Sequence, residues 1–378
     1  MKLLEYKAHD LFRKYGVASI DGYTVGNSDE LADLDLRYPV VIKAQVQTGN
    51  RGKAGGIKFA ENREELLGYG EQILGMSIKG LPVRKVFITP KVEFDREMYL
   101  SFTMDRKTKL GVMIFSPVGG MEINEIVEEN PDAVAKVLIP PGDSIPGYML
   151  QYVLDKTKLE AKYAEEFKEV CQKLYKAYLA EDCLLAEINP LVVTSDGHLR
   201  ALDGKIDIDD NSLYRHPEYA TVRDEMTENS LVLEARKYDF LYIPIKEEGN
   251  IAVVSNGSGM IMSSIDLISK RGMEVTCALD LGGGATADRI QEALRIVASN
   301  PQVDTIFVNI FGGITRCDEI ARGVEASFAD INAKRLVIRL EGTNKEKGLE
   351  ILHGITGEIE LVDGLYEGVD TLAKGITV

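Results

Sequence analysis

The chain has 378 residues, enough for two or three domains with ample core. It is 45% hydrophobic and 28% charged, ordinary for a globular protein. Its formal net charge of −16 argues against a general nucleic-acid or anionic-membrane surface but leaves room for a local basic phosphate site.

Cys171, Cys183, Cys277 and Cys317 show no CxxC spacing and read as free thiols of a reducing compartment. No apolar run has the length of a membrane-spanning helix. The first residues, MKLLEYKAHDLFRKYG, read as an amphipathic helix ending at Gly16, not as a secretory signal. A cytosolic or matrix-like location is the expectation.

Residues 38–46, YPVVIKAQV, read as a strand in which Lys43 emerges among Val40, Ile42 and Ala44. The glycine-rich stretch QTGNRGKAGG follows at 47–56, and a second strand starts at Ile57. Its glycines let backbone N–H groups approach an anion, and Arg51 and Lys53 add charge. No Gly-Lys-Ser/Thr opens a helix here, so it is not a Walker loop. A plain hairpin loop is the alternative.

A helix is expected over 61–76, with strands at 86–89, 97–103 and 110–115. Glu97 stands among apolar neighbours in the second of these, where solvation is its plain reading. A loop follows at 140–147 and a long amphipathic helix at 161–180. Strands and helices mix without strict alternation, which predicts an α+β assembly.

Residues 183–205, CLLAEINPLVVTSDGHLRALDGK, read as a β-hairpin closed by Ser195-Asp196-Gly197. With the turn centred on Asp196, Asn189 lies across from Asp203 and Glu187 across from Lys205. Side chains alternate, so all four share one face, expected at the open end of the ladder. An amide oxygen opposite a carboxylate suits Mg²⁺ beside phosphates. The alternative is a surface hairpin with a solvated polar end.

Residues 209–246 look polar and irregular, and the domain boundary is set between 242 and 243. Clean βα alternation begins at Asn250, with strands at 251–255, 274–279, 305–309 and 335–339. Helices follow at 260–270, 287–299, 316–328 and 345–352, which predicts a doubly wound parallel sheet. Glycine-rich loops at 256–259, 282–284 and 311–315 stand at the C-terminal ends of strands. Helix N-termini there would surround a crevice suited to carboxylate or phosphate. The first loop imitates a dinucleotide fingerprint but has Met262 at the third glycine position, so NAD is not expected. Met260 and Met262 are expected to pack in the core.

The ordered motifs QTGNRGKAGG, AEINPLVV with ALDGK, SNGSGM, LDLGGGAT and NIFGGITRCDEIA are similar to those of the β subunit of succinyl-CoA synthetase (succinate–CoA ligase, nucleoside-diphosphate-forming). The resemblance runs from LLEYKAHDLFRKYGV to about Gly348. It implies an α/β protein with an α+β part: an ATP-grasp region over 1–242, then a flavodoxin-like domain over 243–378. It implies an α subunit that binds CoA and carries a phosphohistidine, in an αβ heterodimer or α2β2 heterotetramer. The implied reaction joins succinate and CoA at the expense of ATP or GTP, with Mg²⁺.

By the same resemblance, Lys43 and Asn50-Arg51-Gly52 would hold nucleotide phosphates, and Thr89 and Glu97 would contact the nucleotide. Thr89 stands where the family often has a hinge glutamate, and Asn50 where a glycine is common. Asn189 and Asp203 would bind Mg²⁺, and Glu187 would meet the partner's histidine. Asn256 with Gly313, Ile314 and Thr315 would lie at the substrate carboxylate and phosphate site.

None of His9, His198, His216 and His353 lies in a glycine-rich loop or beside a motif acid. The phosphoryl acceptor is therefore expected on another polypeptide. The competing readings are a malate or citrate ligase on the same scaffold, a self-sufficient carboxylate–amine ligase, and a nucleotide sensor. The C-terminal βα domain argues against the second. Lys43, Glu187, Asn189 and Asp203 together argue against the third.

Overall fold

The computed structural model describes residues 1–49, 51–226, 229–331, 334–357 and 359–374. Two compact units emerge, Met1–Ala220 and Thr221–Val378.

In the first unit, Leu3 pairs with a later strand through its N–H to Ile206 O, and α1 (Glu5–Lys14) follows. Glu5, Ala8, His9 and Phe12 are buried on α1, at the spacing of one helix face. Next come β1 (Tyr23–Val25) and α2 (Ser28–Ala32), then β2 (Val40–Ala44), β3 (Ile57–Ala60) and α3 (Arg63–Leu74). Asn27 and Asn62 cap the two helices, accepting from Glu30 N and Glu65 N. A short hairpin, β4 (Ser77–Ile78) and β5 (Leu81–Pro82), leads to β6 (Val86–Pro90). The antiparallel order β1-β6-β2-β3 carries α2 and α3 on a core that includes Leu31, Ile42, Leu66, Ile73 and Ile88.

The larger sheet is built from β7 (Phe94–Asp105), β8 (Leu110–Ser116) and, after α4 (Ile123–Glu129), β9 (Ala135–Ile139). Helices α5 (Gly147–Thr157) and α6 (Ala164–Ala180) precede β10 (Cys183–Thr194), β11 (Leu199–Ala201) and β12 (Gly204–Ile208). Its order is β11-β10-β7-β8-β9, with β12 also on β10, and every pairing is antiparallel. Phe167, Val170, Cys171, Leu174 and Tyr178 of α6 recur at helical spacing and enter the core under this sheet. Gly204 lets α1 lie close on β12, since a Cβ there would stand 2.4 Å from the Phe12 ring.

The expected hairpin register is observed: Glu187 faces Lys205, and Leu191 faces Ala201. The ladder does not open at these residues, however. It continues to Cys183 opposite Ile208, so the polar face lies mid-ladder, at the break between β11 and β12.

The described residues of 209–246 are not irregular. They hold a 3₁₀ turn at Asp210–Arg215, then α7 (Pro217–Glu225), α8 (Ser230–Arg236) and β13 (Leu241–Pro244). The expected boundary at 242/243 would cut β13, which pairs with a later strand of the second unit. Helix α7 crosses the division at Ala220.

The second unit continues with β14 (Ile251–Ser255), α9 (Ser258–Lys270), β15 (Val275–Asp280), α10 (Ala287–Ala298), β16 (Thr305–Gly312) and α11 (Cys317–Ile331). It ends with β17 (Arg335–Gly342), α12 (Lys345–His353), β18 (Ile359–Val362) and α13 (Leu365–Ala373). Strands run β13-β15-β14-β16-β17-β18, all parallel except β13. One face packs on α10 and α11, the other on α9 and α13. This is the expected doubly wound sheet, with β13, β18 and α13 beyond what the sequence reading placed. Met262 is 61% exposed, so it is not core as expected. Among the described residues no helix is long and apolar enough to cross a membrane.

Candidate functional site

A cavity of about 480 Å³ opens in the first unit. The glycine loop forms one wall, with Gly49, Arg51, Gly52 and Lys53. The β10–β12 ladder forms another, with Glu187, Asn189, Asp203 and Lys205. Glu97 of β7 and the segment Gly120–Met121–Glu122 complete it, and Glu5 of α1 reaches its surface. Of the residues expected at the nucleotide and metal sites, Arg51, Gly52, Glu97, Glu187, Asn189 and Asp203 thus meet in one place. Asn50 lies outside the described residues.

Lys43 and Thr89 do not line this cavity. Thr89 is buried in β6 opposite Val41. Lys43 is buried too, and its Nζ donates to Glu5 Oε1 at 2.7 Å and to Leu202 O at 2.9 Å.

Asn189 and Asp203 are joined through the backbone, Asn189 N donating to Asp203 O at 3.2 Å. Asn189 Oδ1 accepts from Gly120 N at 2.8 Å, and its Nδ2 donates to Met121 O at 3.0 Å. Asp203 Oδ2 accepts from Arg51 Nη2 at 2.8 Å. Burial and the nearby Glu5 charge push the Asp203 carboxyl above its usual range, against the pull of Arg51 and Lys43. Gly120 has φ +76° and lies over Glu97, so close that a Cβ there would stand 2.3 Å from the carboxylate.

Glu187 accepts a hydrogen bond from Tyr99 Oη at 2.9 Å. Burial raises its pKa, and the charges of Glu122 and Asp203 add to that, outweighing Lys205 and the Tyr99 hydroxyl.

The sequence reading missed Glu5, Tyr99 and the Gly120–Met121 segment. Glu5 had a signal: it shares the helix face of Ala8, His9 and Phe12, where a solvated acid is out of place. Glu5 Oε2 accepts from Arg51 Nη1 at 2.5 Å. Burial alone would raise the Glu5 pKa, but Lys43 and Arg51 hold it well below the usual carboxylate range.

In the second unit, Asn256 spans two loops: its Nδ2 donates to Phe311 O at 2.9 Å and its Oδ1 accepts from Phe311 N at 3.1 Å. Thr315 is buried and its Oγ1 accepts from Gly284 N at 3.0 Å. Both side chains therefore hold the glycine loops together. Gly313 has open space around its Cβ position, and Ile314 is 85% exposed. Helix α11 begins at Cys317, one residue after the expected start at Arg316.

Residues 2–193 match the ATP-grasp domain family, and residues 254–359 match the CoA-ligase family. The chain is 41% identical over 376 residues to the β subunit of an ADP-forming succinate–CoA ligase from Herpetosiphon aurantiacus, covering 98% of this chain and 99% of that one. The chain belongs to the succinate–CoA ligase β-subunit family. A GDP-forming member from Thermus thermophilus is 40% identical over 358 residues, 94% of each chain. ATP citrate lyase from Methanothrix soehngenii, solved in complex with citrate and coenzyme A, shares the fold at TM-score 0.77 and 16% identity, over 99% of both chains. Within the β-subunit family the cavity described here falls largely in the ATP-grasp part, and the three glycine loops fall in the CoA-ligase part.

Proposed function

We propose that this chain is the nucleotide-binding β subunit of a succinate–CoA ligase. With an α subunit that binds CoA and carries a phosphohistidine, it catalyses succinate + CoA + ATP or GTP to succinyl-CoA, ADP or GDP and phosphate, reversibly. The observation that carries this reading is one cavity in which Arg51 of the glycine loop faces Glu187, Asn189 and Asp203.

The phosphates of the nucleotide are assigned to the glycine loop with Arg51 and Lys43, and its remainder to Glu97 and the Thr89 strand. Backbone N–H groups and fixed cations suit phosphoryl oxygens without reorganisation. Mg²⁺ fits this wall on the chemistry of its donors: an amide oxygen beside a carboxylate that is 30% exposed at the cavity. Asn189 and Asp203 would hold it. When bound, it neutralises charge on the transferring phosphoryl group.

Glu187 is assigned to the partner's imidazole. An ionised carboxylate orients the ring and stabilises its protonated form. None of His9, His198, His216 and His353 lines the cavity, which supports an acceptor from another chain. His9 is fully buried, His198 lies 3.5 Å from Glu166, and His216 lies 2.8 Å from Asp182.

The succinate carboxylate is assigned to the loop Gly313–Ile314–Thr315. Among the described residues, the N–H groups of Gly313 and Ile314 donate to no backbone carbonyl. Asn256 and Thr315 keep that loop in place. An αβ heterodimer or α2β2 heterotetramer in the cytoplasm completes the reading, in keeping with four buried free thiols.

The test is to co-purify the chain with its partner and assay succinate, malate and citrate against ATP and GTP. Turnover on succinate supports the reading; turnover confined to malate or citrate replaces it with a sister ligase.

A further inference from the structure

We propose that Glu5 is an internal counter-anion of the nucleotide site: it holds Lys43 and Arg51 in the absence of phosphate and is displaced by nucleotide phosphates. The inference rests on the assignment of phosphates to these two cations.

Glu5 bridges them with its two oxygens, Oε1 to Lys43 Nζ at 2.7 Å and Oε2 to Arg51 Nη1 at 2.5 Å. The three side chains are 1%, 10% and 11% exposed. Two anionic oxygens set between an ammonium and a guanidinium form the arrangement that phosphate oxygens require. Glu5 is part of the cavity surface and Lys43 is not. An anion entering the cavity therefore reaches Lys43 by replacing the carboxylate.

A buried ion pair is a weak source of net stability, because desolvation offsets the Coulomb gain. Its cations can exchange one anion for another at little cost, provided the released carboxylate has a second seat. His9 supplies one. Its Nε2 lies 3.7 Å from Glu5 Oε1, and neither ring nitrogen has a hydrogen-bond partner among the described residues. Gln45 Nε2 already donates to Glu5 Oε2 at 3.4 Å. Released from Lys43 and Arg51, the carboxylate keeps Gln45 and gains His9 as a donor.

Without Glu5, Lys43 loses its charged partner and Arg51 keeps only Asp203, so phosphate meets one competitor fewer. The measurement is calorimetric titration of the complex with its partner, using ADP, pyrophosphate and adenosine as probes. Glu5→Gln is expected to bind ADP and pyrophosphate about tenfold tighter, the size of one charge-assisted competitor, with adenosine unchanged. Should Glu5→Gln fail to fold, Glu5→Asp, whose carboxylate is drawn back by one methylene, is expected to change in the same direction by less. Unchanged or weaker pyrophosphate binding in the folded variant overturns the proposal. A loss shared by all three probes also overturns it, since that marks a purely structural role. Wild-type protein that binds neither ADP nor pyrophosphate would instead remove the phosphate assignment itself.

Discussion

Asn189 donates its backbone N–H to the carbonyl oxygen of Asp203 at 3.2 Å, across the break between β11 and β12. That single bond sets an amide and a carboxylate side by side on one cavity wall. Asp203→Asn and Asn189→Ala are each expected to reduce Mg²⁺-dependent phosphoryl transfer by about a hundredfold or more, with the fold kept. Rates at ordinary and high Mg²⁺, with circular dichroism as the control, check this. Near-normal turnover at ordinary Mg²⁺ would take the pair out of the mechanism.

Glu187 links function to a stability cost. Its pKa is raised in the folded protein, chiefly by burial. The folded state therefore binds the proton more tightly than the unfolded chain, and stability falls as pH rises from the unfolded value through the folded one. Glu187→Gln lacks this charge. It is expected to equal the wild type in thermal midpoint at low pH and to exceed it at neutral pH, while phosphoryl transfer to the partner is lost. The acid limb of the wild-type transfer rate is expected above the ordinary glutamate range. Tyr99→Phe, which removes the 2.9 Å hydrogen bond, should move that limb further up.

Much of this site was legible in the residues, for a geometric reason. A three-residue turn centred on Asp196 fixes the ladder as far as Leu185 opposite Asp207, so Glu187 opposite Lys205 follows by counting. The strands of the second unit were equally clear, because β14 to β17 are near-continuous apolar runs punctuated by glycine loops. Residues 221–242 were harder, since α8 is short and Leu241 of β13 is exposed on an edge strand. Glu5 was missed because an acid in the first turn of a helix usually complements the helix dipole in solvent. Its partners, Lys43 and Arg51, are distant in sequence, and only the tertiary fold brings them to it.

In the second unit, Gly313 stands in open space, so a larger residue there fits without disturbing the fold. Gly313→Val is expected to raise the Michaelis constant for the acid several-fold more than that for the nucleotide. Equal effects on both constants would place the carboxylate elsewhere. The contrast is Gly342→Ala: Gly342 has φ +112°, and a Cβ would stand 1.9 Å from Gly312 O. That variant is expected to lower the thermal midpoint as well.

Asp318 anchors the start of α11. Its side chain accepts from Asn344 and Arg316 and pairs with Arg322, and its pKa falls to about 2, through the Asn344 hydrogen bond first and the arginines after it. The stabilisation of a depressed carboxylate is present above the unfolded pKa and disappears as pH falls through the folded one. Asp318→Asn should therefore be less stable than the wild type at neutral pH, and the difference should close as pH falls towards about 2. A gap that persists at that pH would mean that packing, not charge, is responsible.

Whether this chain hands a phosphoryl group to a histidine on its partner is read by following the label. The chain is incubated with γ-labelled ATP or GTP and Mg²⁺, first alone and then with the α subunit, and acid-labile label is located by gel. Label is expected on the α subunit only, present with wild-type protein and absent with Glu187→Ala. Stable phosphohistidine on this chain alone, or undiminished labelling of the partner by Glu187→Ala, would contradict it.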